Sequence, residues 1–210
     1  YGTSTVAVMN ASTGEILNEV QVGSDPVSLA FDPKTGLVYV ANQGSDSVTV
    51  INGTQVVKTI NLGFSPTALD FINGSLYIGG AVDQYYSPHI SVYRDGKIVA
   101  NISLTTWPTY IGYHDGLVYV TECGSFSGEP GYLVIINGTK VIKYINVGVD
   151  PASLAITPDG TIYVADEGEG AVSVVNVSVK PIVTVPNIST TTTTTSPAST
   201  CLLYTSPSPR

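Results

Sequence analysis

The chain has 210 residues, of which 43% are hydrophobic and only 11% charged, against about a quarter charged in an ordinary soluble protein. Sixteen Asp and Glu against 8 Lys and Arg give a net charge of −8, which argues against nucleic-acid binding and against attraction to anionic membrane surfaces. No apolar run approaches the ~20 residues of a spanning helix, and the apolar fraction suffices for a packed core.

Two strands are predicted first, Thr5 to Met9 and Glu15 to Val22. From there a pattern repeats. Asp25-Pro26, Ser65-Pro66, Trp107-Pro108 and Asp150-Pro151 each open it, with the prolines 40, 42 and 43 residues apart. A first apolar run follows each proline: Val27 to Phe31, Ala68 to Phe71, Tyr110 to Tyr113, Ser153 to Ile156. After a turn comes a second run: Leu37 to Val40, Leu76 to Ile78, Leu117 to Val120, Ile162 to Val164. A loop leads to a third run, as in Ser47 to Ile51 and Tyr132 to Ile136. A tight turn and a fourth run close the unit, as in Val56 to Ile60 and Val141 to Ile145.

These short runs are rich in Val, Ile and Tyr, so they read as strands. Asn73-Gly74, Asp115-Gly116 and Asp159-Gly160 separate runs one and two. Asn52-Gly53, Asp95-Gly96 and Asn137-Gly138 separate runs three and four. Such pairs supply the positive φ angles of two-residue hairpin turns. The second runs are almost continuously apolar, as in a sheet covered on both faces. Four antiparallel strands every 40 to 43 residues is the period of a β-propeller blade. The expected fold is therefore all-β, a propeller of four-stranded antiparallel blades. About four and a half blades of a larger ring are present. The last blade is expected to end with the strand Ile182 to Val185, where Pro181 suits an outer edge.

The repeat resembles the YVTN-type β-propeller repeat of archaeal surface-layer proteins and related secreted propellers. Its motif stands here as Tyr39-Val40-Ala41-Asn42, Tyr119-Val120-Thr121-Glu122 and Tyr163-Val164-Ala165-Asp166. Tyr77-Ile78-Gly79-Gly80 departs furthest. The resemblance covers about residues 5 to 186. It speaks to fold more than to function, because propellers host many activities.

Three segments are expected. Residues 1–186 read as a propeller fragment truncated at its N-terminus. Residues 187–200, with Thr190 to Thr195 at their centre, read as a Thr/Ser-rich stalk or linker. Residues 201–210, Cys201 to Arg210, resemble the in-frame translation of a transposase-end sequencing adapter at all ten positions and read as non-native. Cys123 is then the one native cysteine.

Asn-X-Ser/Thr acceptors occur at Asn10, Asn52, Asn73, Asn101, Asn137, Asn176 and Asn187. Seven of 11 Asn residues qualify, where chance gives about two. Asn52, Asn73 and Asn137 also serve as hairpin residues. The pattern points to a secreted, N-glycosylated protein at the cell surface.

Propeller topology puts turns one-to-two and three-to-four on one face, with Asn10, Asn52, Asn73, Asn137 and Asn176. Loops two-to-three and the crossovers between blades share the other face, which carries no acceptor. That second face has the long insertions, Val82 to His89 and Glu122 to Gly131, and the single Trp. Tyr85, Tyr86, His89, Trp107, Glu122, Asp166 and Glu167 are the binding-face candidates, since loops on a rigid scaffold commonly carry recognition. Asp166-Glu167-Gly168-Glu169 would suit a hard cation such as Ca²⁺, but without a calcium-loop spacing it reads as a solvated acidic loop. No cofactor or metal ligand set is predicted, and no catalytic residue. The expected partner is a surface protein or a glycan, with membrane contact only through an anchor beyond this chain. The rival expectation is a lactonase-like propeller hydrolase or lyase whose catalytic groups lie partly in other blades.

Overall fold

A computed structural model of the chain describes residues 4–82, 87–124 and 128–177. The runs of Val, Ile and Tyr form strands, and each strand turns back on its predecessor. β1 (Thr5–Met9) and β2 (Ile16–Gln21) make an antiparallel pair. Blade I contains β3 (Pro26–Phe31), β4 (Leu37–Asn42), β5 (Ser47–Asn52) and β6 (Gln55–Asn61). Blade II contains β7 (Ser65–Ile72), β8 (Ser75–Ala81), β9 (His89–Arg94) and β10 (Lys97–Ser103). Blade III contains β11 (Pro108–His114), β12 (Leu117–Glu122), β13 (Pro130–Asn137) and β14 (Lys140–Val149). Blade IV shows β15 (Pro151–Ile156), β16 (Thr161–Asp166) and β17 (Ala171–Asn176). Each sheet is antiparallel in simple chain order. The first strands β3, β7, β11 and β15 lie side by side, so the blades fan around them as an all-β propeller. Among the described residues the one helical piece is a 3₁₀ turn, Gln43–Ser45, and no helix is long and apolar enough to cross a membrane. The strand expected at Ile182 to Val185 lies outside the described residues.

The core lies between blades. Ala30, Val48, Val50, Leu69 and Ile78 join blades I and II. Ala68, Ile90, Ile111, Val120 and Val134 join II and III. Tyr119, Leu133, Ile135, Ile162 and Val164 join III and IV. The sheets of blades II and III are thus buried on both faces, which is why their second strands read as continuous apolar runs. The strand pair β1–β2 packs on blade I through Val20, Val40 and Ile51.

Turn chemistry sets the register in three ways, where the sequence suggested one. At Asn73-Gly74, Asp95-Gly96 and Asp115-Gly116 both residues have positive φ, as two-residue type I′ turns require. At Asn52 and Asn137 the asparagine is instead the last paired residue, opposite Gln55 and Lys140. There Gly53 and Gly138 are the first central residues, and they alone have positive φ. At Asp159-Gly160 only Gly160 has positive φ, within a longer turn closed by a Gly160 N–H donating to the Thr157 carbonyl at 2.9 Å.

One irregularity recurs in every blade. The register slips by one residue just after the opening proline, at Val27, Thr67, Thr109 and Ala152. Such a bulge re-aims the extra residue. Thr67 Oγ1 then donates to the Pro108 carbonyl at 2.6 Å, and Thr109 Oγ1 to the Pro151 carbonyl at 2.5 Å. Each bond crosses from one blade to the next.

Among the described residues the array does not close on itself. Leu29 is 56% exposed, while its counterparts Leu69 and Ile111 are 6% and 3% exposed. At the other end Val172 and Val174 are 60% and 58% exposed, against 0% and 4% for Val48 and Val50 at the same places in blade I. The same side chains are core in the middle of the array and surface at its ends.

Candidate binding face

Simple antiparallel order sends the loops β4–β5, β8–β9, β12–β13 and β16–β17, with the crossovers β2–β3, β6–β7, β10–β11 and β14–β15, to one face. Charge is sorted across the molecule accordingly. This face carries Asp25, Asp46, Glu129, Asp150, Glu167 and Glu169, all exposed, above the buried Glu122 and Asp166. Every described Lys and Arg lies elsewhere. Lys34, Arg94, Lys97 and Lys140 sit at the ends of opposite-face turns, and Lys58 and Lys143 within outer strands. The opposite-face acids are Glu15, Asp32, Asp95, Asp115 and Asp159, and of these Asp32 and Asp95 share their turns with Lys34, Arg94 and Lys97.

The second strand of each blade ends where the crossover from the preceding blade passes over it, and the two contacts are matched. In blade I, Asn42 Nδ2 donates to Thr49 Oγ1 at 2.9 Å and to Ser47 Oγ at 3.2 Å, beneath Gly23 of the crossover. In blade IV, Asp166 Oδ2 accepts from Ser173 Oγ at 2.6 Å, and the Gly148 N–H of the crossover donates to the same Ser173 Oγ at 3.2 Å. In blade III the third strand offers Val134, which has no hydroxyl. Glu122 reaches up instead: Oε2 accepts from Thr105 Oγ1 at 2.5 Å, Thr106 N–H at 3.0 Å and Thr106 Oγ1 at 3.1 Å. In blade II the strand end is Gly80, and the Phe64 ring of the crossover fills the space a side chain would take.

Asn42, Glu122 and Asp166 are all but fully buried, and Asn42 Oδ1, Glu122 Oε1 and Asp166 Oδ1 have no hydrogen-bond partner among the described residues. Burial pushes the Glu122 carboxyl above its ordinary range, against the Thr105 and Thr106 bonds that favour the anion.

The candidates therefore fall in different places. Glu122 and Asp166 lie under the face and hold its loops, while Glu167 is exposed on it. The Glu167 N–H donates to the Asp150 carbonyl at 3.1 Å. His89 is half-buried, its ring edge-on to Phe64 with centroids 4.5 Å apart, and its Nδ1 lies 2.7 Å from the Ser87 carbonyl. Trp107 is half-buried in the β10–β11 crossover, where its carbonyl accepts the Cys123 N–H at 3.0 Å. Burial, with the charges of Asp150 and Glu122, pushes the Cys123 thiol up and away from thiolate reactivity. Tyr85 and Tyr86 lie outside the described residues. Among the described residues no three His, Cys, Asp or Glu side chains gather as metal ligands would.

The acceptor asparagines follow the expected sorting. Asn52, Asn73, Asn101 and Asn176 are exposed, and Asn10 and Asn137 half-buried. Asn101 lies in the outer strand β10, the other five at turns of the face opposite the acidic one. Asn10 caps its own turn with Oδ1, accepting from Ser12 N–H at 2.9 Å. Asn73 Nδ2 donates to the Tyr113 hydroxyl at 2.8 Å. Asn187 lies outside the described residues.

Sequence reasoning missed a groove of about 440 Å³ on that opposite side, between blades I and II. Tyr39 and Phe71 stack within it at 5.5 Å, and Lys58 Nζ donates to the Tyr93 hydroxyl at 2.9 Å. Its only sequence signal was the Tyr of the motif, which also reads as core.

No family model and no curated relative matches the sequence. Solved structures match its shape. Kuenenia stuttgartiensis hydrazine synthase aligns over 77% of this chain and 49% of its own, with TM-score 0.69 and 22% identity. BBS1N, solved in complex with ARL6DN, aligns over 81% of this chain and 57% of its own, with TM-score 0.63 and 14% identity. A chain of the mitotic checkpoint complex aligns over 82% of this chain and 56% of its own, with TM-score 0.65 and 13% identity. At these identities the likeness is one of fold, and this chain spans about half the length of the matched chains.

Proposed function

We propose that the protein is a non-enzymatic, extracellular recognition propeller of a surface layer or adhesive assembly, in keeping with the resemblance to the YVTN repeat. Its turn-bearing face is N-glycosylated, and its acidic face binds a protein partner. The carrying observation is the sorting itself: among the described residues, exposed carboxylates without Lys or Arg on one face, and five of six acceptors at turns of the other. A bare face of one sign selects partners of the opposite sign. Two of the matched structures are assemblies with other proteins, which supports protein over glycan as the partner class.

Reversing Asp25, Asp46, Glu167 and Glu169 together to Lys tests this. Attachment of the purified protein to cells of its source is expected to drop at least tenfold, a loss of about 1.4 kcal/mol. The control Lys97→Glu with Lys140→Glu is expected to leave attachment unchanged. Equal loss in both variants, or none in the first, overturns the reading. Mass spectrometry of the native protein is expected to find sugar at Asn10 and Asn52, and bare asparagine at all acceptors overturns the glycosylated half.

A further inference from the structure

The groove between blades I and II lies apart from the acidic face and mixes apolar and charged groups. The stacked Tyr39 and Phe71 rings line it, with Leu37, Val57 and Ile60. Lys58 and Arg94 bring two cations. Lys58 Nζ meets the Tyr93 hydroxyl, and Arg94 Nε donates to Ser75 Oγ at 2.7 Å. Neither cation is ion-paired among the described residues. The Asp32 carboxylate in the same lining is taken up by its own turn, accepting from Lys34 N–H at 2.9 Å and from the Thr35 hydroxyl. An aromatic platform beside free donors suits a sugar ring, which has an apolar face and an edge of oxygens.

An acceptor asparagine stands at the edge of this groove. Val48 and Val50 of β5 pack toward blade II, and Ile51 packs toward β1 and β2. By strand alternation Asn52 also faces blade II. It pairs with Leu37, a lining residue. Asn52 is exposed, and its amide makes no hydrogen bond among the described residues. Asn73 adjoins the groove through Gly74, but its amide is held by the Tyr113 hydroxyl of blade III.

Resting on the N-glycosylated reading above, we propose that the groove seats the proximal sugars of a glycan carried on Asn52 of this chain. The apolar face of a sugar ring lies against Tyr39 and Phe71, and Lys58 and Arg94 donate to its oxygens. The groove's 440 Å³ falls within the range of small-molecule sites. A tethered sugar fills it where a free one would bind weakly, because a short tether holds its effective concentration near the millimolar range. Asn137 holds the same place in blade III, pairing with Leu117 and Lys140 as Asn52 pairs with Leu37 and Gln55. There Ile156, Val175 and Asn176 stand where Phe71, Tyr93 and Arg94 stand beside Asn52. A sugar on Asn137 therefore has no such seat.

The test follows acetylation of lysine amines by acetic anhydride, read by peptide mass spectrometry on the protein from its source. Lys58 in the native glycoprotein is expected to react about tenfold or more slowly than in Asn52→Gln, because a seated ligand is largely buried against its pocket. Thr54→Ala removes the acceptor signal and keeps Asn52, and it is expected to match Asn52→Gln. Lys143 pairs with Ile135 as Lys58 pairs with Val50, so it is the control. Its rate is expected to be the same in the native protein and in Asn137→Gln. Equal Lys58 rates with and without the Asn52 sugar overturn the seat and leave glycosylation standing. So does bare Asn52 beside sugar at other acceptors, and so does equal shielding of Lys58 and Lys143 by their neighbouring sugars. Bare asparagine at every acceptor overturns both readings.

Discussion

Glu122 shows how one side chain can look like a ligand and act as a strut. Its carboxylate takes three hydrogen bonds from Thr105 and Thr106 of the crossover. Removing it in Glu122→Ala leaves the Thr106 backbone N–H without its acceptor, while the Thr106 hydroxyl keeps the Cys123 carbonyl, and unfolding by urea is expected to show a loss of about 1–3 kcal/mol. Its titration has a definite sign. A carboxyl whose folded pKa is raised keeps its stabilising contribution below the unfolded value and loses it as pH rises through the folded value. The stability of Glu122→Gln relative to wild type is therefore expected to increase as pH climbs through that window, and urea midpoints from pH 4 to 7 check it. Nothing in the sequence separated Glu122 and Asp166 from Glu167. All three are acids near the end of a second strand, and burial depends on which way the last residue of a strand faces. That parity is set by the pairing with the third strand, Glu122 opposite Tyr132 and Asp166 opposite Ala171.

At the scale of the strands the sequence was far more readable. The β-branched runs and the Asn-Gly and Asp-Gly pairs marked out the strands of the described residues, because hairpin turns are short-range chemistry carried by two adjacent residues. The bulge after each proline was not readable, since a register slip leaves the apolar alternation of the strand nearly intact. Its consequence is the hydroxyl bond from Thr67 to the Pro108 carbonyl and from Thr109 to the Pro151 carbonyl. Thr109→Val keeps the volume and removes the bond, so a loss of about 1 kcal/mol is expected in urea unfolding. Blade I has Val27 at the same bulge. Val27→Thr is expected to reach the Pro66 carbonyl and to gain about 0.5–1 kcal/mol, measured the same way.

For the molecule as a whole, the repeat itself defines what a face costs to leave uncovered. Val48 and Val50 are core, while Val172 and Val174 hold the same places at the end of the array. Changing Val172 and Val174 to Ser together is expected to leave the melting temperature within a degree or two, since exposed substitutions stay within about 0.5 kcal/mol. It is expected to reduce self-association, seen by light scattering, because a contiguous apolar surface is removed. The same change at Val48 and Val50 is expected to cost upward of about 2 kcal/mol. Charge sorting was half-legible: the acidic loop at Asp166 to Glu169 stood out, but the sum over four loops and four crossovers needed the fold to gather them.

That gathering gives the propeller a polarity along its own axis. With negative charge concentrated at one pole and the described bases at the other pole and the rim, the described propeller is an electric dipole as well as an anion. A positively charged surface exerts a torque on such a body as well as an attraction, at separations within roughly a Debye length. The protein would thus arrive already turned, acidic pole leading, and raising the salt concentration would slow its capture by disordering the approach before it weakened the contact.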